Sequence, residues 1–138
     1  MSYKGRYTLK KPEKYIGDAK KVVYRSLWEK QAFKWCENNP KVKAWNSEEI
    51  VVPYKSSVDK RLHRYFVDLL IQMEDKSTYL VEIKPKSQTQ PPKKRSRQTK
   101  KYVNEQLTFI KNQDKWEAAN QFADYKGWKF QVWTEETL

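Results

Sequence analysis

The chain holds one cysteine, Cys36, one histidine, His63, and three glycines among its 138 residues. A single cysteine excludes an intrachain disulfide, which suits a reducing compartment. No apolar run approaches the roughly 20 residues of a membrane span. The first 21 residues are basic, but no apolar core follows them, so they do not read as a secretory signal. These absences lead us to expect a soluble, unexported protein. No internal repeat is visible, and a chain of this length suits one domain without a disulfide framework. Acidic residues are also in short supply: 17 Asp and Glu face 29 Lys and Arg, a net charge of +12.

That imbalance is the first positive sign. The excess cations have no evident internal partner, and a strong positive field gathers polyanions. With 14% aromatic residues, charge favours a nucleic-acid partner over a merely solvated basic surface. An anionic membrane surface fits less well, because no strongly amphipathic basic helix stands out.

Residues 1–21, with Gly5, Pro12 and Gly17, read as a basic N-terminal arm of little regular structure, ahead of a single domain over 22–138. Ser26-Leu27-Trp28-Glu29 has the form of a capping box and predicts a helix to about Asn38, with Trp28, Ala32, Trp35 and Cys36 on one face. Asn39-Pro40 ends it. Strands are expected at Ile50–Val52, Arg64–Met73 and Thr78–Lys84, the last stopped by Pro85. The near-continuous apolar runs of the last two imply a sheet covered on both faces. Residues 85–101 hold three prolines and many Lys, Arg, Gln and Ser, and read as a basic loop. A helix is expected from about Lys101, with a break and fresh N-cap at Asp114-Lys115-Trp116-Glu117, then on to about Tyr125, where Gly127 closes it. Lys129–Trp133 is a final strand. The order gives an α/β fold: helix, three-strand antiparallel meander, helix, strand, with a mixed sheet flanked by helices.

Glu82-Ile83-Lys84 sets a carboxylate and an ammonium two residues apart on a strand, hence on one face. Asp68 lies on the partner strand of the same expected hairpin. Side chains opposite each other across an antiparallel pair share a face. A two-residue turn at 75–76 sets Asp68 against Ile83, on the wrong face. An odd-length loop or a bulge aligns it with Glu82 or Lys84 instead, and that is the expectation. Clustered carboxylates hold hard cations such as Mg²⁺, and a neighbouring lysine orients or deprotonates water, so the set suits phosphodiester hydrolysis. Glu74-Asp75-Lys76 matches the same bare pattern, but it falls in a polar turn where charge is ordinary. Asp68 and Glu82 sit in apolar strands, where a carboxylate is costly unless paired or metal-bound. A buried salt bridge to Lys84 is the alternative. Glu29 has a capping role to set against a place at a metal site. His63 is either a general base or, like Arg64, a phosphate or surface contact. Lys93, Lys94, Arg95 and Arg97 are either contacts to DNA backbone or a solvated charge run. The six tryptophans fit a core better than base-stacking platforms.

Asp68 followed by Glu82-x-Lys84, in this order of elements, resembles the PD-(D/E)xK nuclease superfamily. Ser26-x-x-Glu29, Lys115-Trp116-Glu117-Ala118-Ala119, Gly127-Trp128-Lys129-Phe130 and Trp133-Thr134-Glu135 resemble the TnsA-type transposon endonucleases. Tyr24-Arg25-Ser26-Leu27-Trp28-Glu29, Ser47-Glu48-Glu49-Ile50-Val51, His63-Arg64-Tyr65-Phe66 and Glu82-Ile83-Lys84-Pro85-Lys86 resemble the head completion nucleases of T-even-type tailed phages, over almost the whole chain. The resemblance implies a restriction-endonuclease-like core and a metal-dependent endonuclease acting on double-stranded DNA. It makes Glu29, Asp68 and Glu82 metal-site carboxylates, the Ile83 carbonyl a further ligand, and Lys84 the catalytic lysine. Mg²⁺ is the implied cofactor, with Mn²⁺ as a substitute. The implied setting is phage head completion after DNA packaging, in the host cytoplasm, with head, portal or neck proteins as partners and retention in the virion head left open. Val67 stands where the superfamily pattern has proline; proline there shapes the strand and supplies no chemistry. Two other functions stay open: a DNA-binding head-assembly protein without turnover, and a structure-selective resolvase or repair nuclease.

Overall fold

The structure is a computed structural model that describes residues 4–138; the first three residues of the basic arm lie outside it. Its elements in chain order are β1 (Gly5–Arg6), β2 (Val23–Tyr24), α1 (Leu27–Asn38), β3 (Val42–Ser47), β4 (Val51–Lys55), β5 (Leu62–Phe66), β6 (Leu69–Met73), β7 (Thr78–Ile83), α2 (Lys100–Lys126) and β8 (Lys129–Trp133). The main sheet runs β3-β6-β7-β8. β3, β6 and β7 form an antiparallel meander, and β8 returns parallel to β7 after α2. This is the expected mixed sheet flanked by helices, but the first strand of its meander is Val42–Ser47, while the strand expected there at Ile50–Val52 falls in β4 and pairs with β5 outside the main sheet.

Alternation along the strands explains the layering. Leu69, Ile71, Val81 and Ile83 point to one side and pack with Ala32, Phe33 and Cys36 of α1 and with Trp45. Leu70 and Leu80 point to the other, against Trp116, Ala119 and Ala123 of α2. Each such buried aliphatic side chain stabilises the fold by roughly 1.5–3 kcal/mol. The buried stripe of α1 is Glu29, Ala32, Phe33, Cys36 and Glu37. Trp35 falls outside that stripe, 41% exposed, and meets Trp133 edge-on at 5.5 Å.

The expected strand over 64–73 divides at Val67-Asp68. β5 pairs with β4 in a separate two-stranded ribbon, while β6 pairs with β3 and β7. The two ladders stay linked through the corner, where Glu48 N–H donates to the Asp68 carbonyl at 3.2 Å and Val67 N–H to that of Ile50 at 3.0 Å. Glu48 turns this corner with φ 57°.

The β6–β7 loop is odd, as alignment of the carboxylates requires. Met73 N–H donates to the Ser77 carbonyl at 2.8 Å, enclosing residues 74–76, and Lys76 takes the left-handed conformation with φ 74°. That is the pattern of a three-residue hairpin loop. Leu69 then faces Val81, which brings Asp68 level with Glu82.

α2 is one unbroken helix capped by Thr99, whose hydroxyl accepts from Tyr102 N–H, and it stops at Gly127 with φ 76°. The expected break at Asp114 is absent. Asp114 accepts instead from the backbone N–H and the hydroxyl of Ser57, both at 2.8 Å, and so ties α2 to the turn of the β4–β5 ribbon.

The arm lies across the domain. Tyr7 is buried in the α1-side core. Its hydroxyl donates to buried Glu37 at 2.6 Å, and Glu37 also accepts from the N–H groups of Lys10 and Lys11. Lys14 Nζ donates to the carbonyls of Cys36, Glu37 and Asn39 at 2.8, 3.2 and 3.1 Å. The Cys36 and Glu37 carbonyls end α1 without a partner in the helix, so the ammonium satisfies them, while that of Asn39 also accepts from Val42 N–H at 3.0 Å.

Candidate active site

The corner between the two ladders gathers the carboxylates. One carboxylate oxygen each from Glu29, Glu48 and Asp68 lie within 4.8 Å of one another. Glu29 comes from the first turn of α1, Glu48 from the bend after β3, and Asp68 from the residue before β6. Glu82 and Lys84 come from the end of β7 and the residue just after it.

Asp68 Oδ2 accepts from Ile83 N–H at 2.7 Å, pinning the carboxylate to β7. Glu82 is buried, 6% exposed. Its Oε2 accepts from the Tyr65 hydroxyl, and its Oε1 lies 3.7 Å from Lys84 Nζ. Tyr65 comes from β5, so the small ribbon positions a carboxylate of the main sheet. Lys84 is half-buried, its backbone N–H donating to the Trp133 carbonyl at 3.0 Å.

Glu29 takes part in the cap and also stands in the carboxylate cluster. The Ser26 hydroxyl caps α1 by accepting from Glu29 N–H at 3.2 Å. Glu29 Oε2 reaches back to Arg25 N–H at 2.9 Å. A carboxylate has a second oxygen, and capping leaves it for the cluster.

The electrostatics are those of crowded like charges. Burial first, then the charge of Glu82, push Asp68 well above the usual carboxylate range, and Glu29 adds to this while the Ile83 N–H and Lys84 oppose it. Burial raises Glu82, while the Tyr65 hydroxyl and the Lys84 ammonium pull it back. Burial also raises Glu29, with Arg25 N–H opposing and Glu48 adding. Burial and the Glu82 charge push the Tyr65 phenol up, which keeps it a donor. Arg25 supplies one counter-charge, its Nε and guanidinium nitrogen donating to Glu48 at 2.9 and 3.1 Å. Carboxylate oxygens that repel one another at this distance are a donor set suited to a hard divalent cation.

Of the residues singled out from sequence, Asp68, Glu82 and Lys84 meet at one place, with Glu29 beside Asp68 and Ile83 between the two key β7 side chains. His63 does not join them. It pairs with Asp59 at 2.7 Å and stacks on Tyr54 at 5.5 Å, on the ribbon. Arg64 lies over the Phe66 ring at 5.2 Å on the ribbon's outer face. Lys93, Lys94 and Arg97 are exposed on the loop after β7, and Arg95 lies 3.7 Å from Glu105 of α2. Sequence reasoning missed Glu48 and Tyr65. Both lie in stretches that carried the phage-nuclease resemblance, but neither has a spacing to Asp68 that marks it.

A profile of the family described as TnsA-like endonuclease N terminal matches residues 39–135. That stretch includes Glu48, Asp68, Glu82 and Lys84 and leaves Glu29 ahead of it. The head completion nuclease of Enterobacteria phage T4 is 42% identical over 142 residues, which takes in 100% of this chain and 95% of that protein.

Proposed function

This chain belongs to the TnsA-like endonuclease family, and from that premise we propose that it is a metal-dependent DNA endonuclease acting in phage head completion. The observation that carries the reading is the meeting of Asp68, Glu82 and Lys84 beside Glu29 and Glu48 at one corner of the sheet. Its likeness to a head completion nuclease over the full chain supplies the biological setting. Double-stranded DNA is the substrate, and head, portal or neck proteins are the partners that bring the protein to it.

Asp68 and Glu82 hold the cation, with Glu29, Glu48 and the Ile83 carbonyl as further donors. Mg²⁺ fits these hard oxygens, and Mn²⁺ substitutes. When bound, the cation polarises the scissile phosphate and offsets the charge that builds on it. The chain's own residues do the rest. Lys84 Nζ, steadied by Glu82 Oε1, orients the attacking water and takes up its developing charge. Tyr65 fixes the rotamer of Glu82 by donating to Oε2. Ile83 N–H does the same for Asp68. Lys93, Lys94, Arg95 and Arg97 on the 85–101 loop, the basic arm of residues 1–21, and His63 and Arg64 hold DNA backbone, so cleavage has little sequence preference.

Plasmid cleavage by purified protein with Mg²⁺, Mn²⁺ or EDTA, beside Glu82→Ala and Lys84→Ala, tests this reading. We expect cleavage that needs metal and falls by about 10²–10⁴-fold in each variant. DNA binding without cleavage by the wild type in every metal makes the chain a head-assembly module instead. A requirement for four-way junctions, with linear and forked duplex left uncut, makes it a resolvase.

A further inference from the structure

Beyond the carboxylates, the segment after Lys84 and the N-terminal half of α2 enclose a cavity of about 730 Å³. Gln88 and Gln90 line one wall. Lys101, Asn104, Phe109 and Asn112 line the other. Volumes of this order are those of small-molecule sites. Nothing in the proposed cleavage chemistry uses it.

Asn112 makes this cavity more than a surface groove. It is 4% exposed, and its Nδ2 has no acceptor. An amide donor kept from water without a partner costs roughly 1–3 kcal/mol. On the neighbouring turn Trp116 packs into the α2-side core with its own Nε1 unpartnered, and Lys115 lies over the Tyr65 ring at 5.7 Å. The torsion that swings an Asn amide is broad, so Nδ2 turns to a carbonyl presented in the cavity at small cost.

The position is as telling as the chemistry. The wall carrying Gln88 begins at Ser87, three residues past Lys84, and Gln88 N–H is held by the Pro85 carbonyl at 2.9 Å. Asn112 is one helical turn from Lys115, whose charge acts on Glu82. The cavity and the carboxylates are thus reached from the same two elements, the chain leaving β7 and the middle of α2. The cavity wall carries four side-chain amides, which present donors and acceptors together, beside an aromatic ring, Lys100 and Lys101, and the Glu105 carboxylate, which Arg95 faces at 3.7 Å. That mixture matches a nucleobase: amides for its hydrogen-bonding edge, Phe109 for its face, Lys101 for the phosphate beside it.

We propose that this cavity receives one unstacked base of the DNA strand next to the scissile phosphate, with Asn112 Nδ2 donating to a carbonyl oxygen of that base. This rests on the reading of the chain as a DNA nuclease and deepens it. The enzyme then acts where a base is readily unpaired, at ends, gaps or forks, in preference to intact duplex. Unstacking costs a few kcal/mol in paired DNA and much less where pairing is already lost.

The test uses full-length protein in EDTA, so that no cleavage intervenes. A forked duplex carries 2-aminopurine at successive positions near the junction and a remote dye that reports binding by anisotropy. We expect binding, and at one position a rise in 2-aminopurine fluorescence of at least about threefold as the base leaves the stack. Asn112→Leu and Asn104→Ala should lose most of that rise even at protein concentrations where anisotropy shows the DNA saturated. Asn104 is exposed on the rim, so its variant answers the question even if Asn112→Leu fails to fold. Binding without a fluorescence rise at any position overturns the proposal and leaves the nuclease reading standing, as does a rise that survives in both variants. Absence of binding overturns both.

Discussion

Asp68→Asn separates a functional carboxylate from a structural one. The change keeps an oxygen that accepts from Ile83 N–H, held now at 2.7 Å, and removes only the charge. In the wild type that charge faces Glu29 of α1 and Glu48 of the β3 bend within 4.8 Å, and Glu82 of β7, with Lys84 and the Arg25 guanidinium as the opposing cations. Two unit charges at that limit repel by about 3.5 kcal/mol at an effective dielectric of about 20. Shared protonation and the two cations reduce this, so relief of about 1–3 kcal/mol is expected at pH 8 without metal. For a chain of this size that raises Tm by about 3–10 °C. The pH dependence has a definite sign. Asp68 is raised in the folded state above its unfolded value near 3.9. The native state therefore binds more protons than the unfolded one in that interval, and wild-type stability falls as pH rises through it. Asn lacks this loss, so the gap between variant and wild type is small near pH 4 and widens as pH rises. Thermal melts from pH 4 to 8.5 in EDTA measure it, and saturating Mg²⁺ or Mn²⁺ should reverse the order by stabilising the wild type more. An Asn variant less stable than wild type in EDTA, and indifferent to metal, would show that Asp68 is there for the ion pair and the strand contact.

Three further outcomes follow from the same geometry. Tyr65→Phe removes the hydroxyl that holds Glu82 charged; the acidic limb of the pH–rate profile for plasmid cleavage should move to higher pH, with about tenfold lower activity near neutrality. Lys14→Met strips a donor from the three carbonyls at the end of α1; urea denaturation should show a loss of about 2 kcal/mol with cleavage retained in the surviving folded protein. The exposed pair Lys93→Ala and Lys94→Ala should leave the cleavage step alone but lower the slope of log affinity against log salt by about two, read by anisotropy on a linear duplex.

Much of this molecule is written locally. The Ser26 cap, the apolar runs of β6 and β7, the closure at Gly127 and the parallel return of β8 each rest on a few neighbouring residues, and each is where those residues point. The odd loop at 74–76 was recoverable because two carboxylates had to share a face. Other features depend on partners far along the chain. Nothing between Arg64 and Met73 breaks strand character, since neither Gly nor Pro falls there; the split at Val67-Asp68 exists because the two halves pair with different strands. Asp114 has the local form of an N-cap, and only the approach of Ser57 gives its oxygens another use.

Glu48 shows how these two kinds of information combine. In sequence it sits among Ser47 and Glu49, where acidic residues between strands look like solvated turn. Its place beside Asp68 is made by the same corner that hides the strand split: its N–H bonds the Asp68 backbone carbonyl while its φ of 57° throws the chain into the ribbon. A left-handed conformation is uncommon for a residue other than glycine and costs roughly 1 kcal/mol or more. Glycine would remove that cost along with the side chain. The glutamate at this bend bonds Arg25 and faces Glu29 and Asp68, so the turn and the carboxylate cluster share one residue. The bend lets β5 deliver Tyr65 to Glu82, lets β6 deliver Asp68 level with Glu82, and brings the start of α1 close enough to add Glu29.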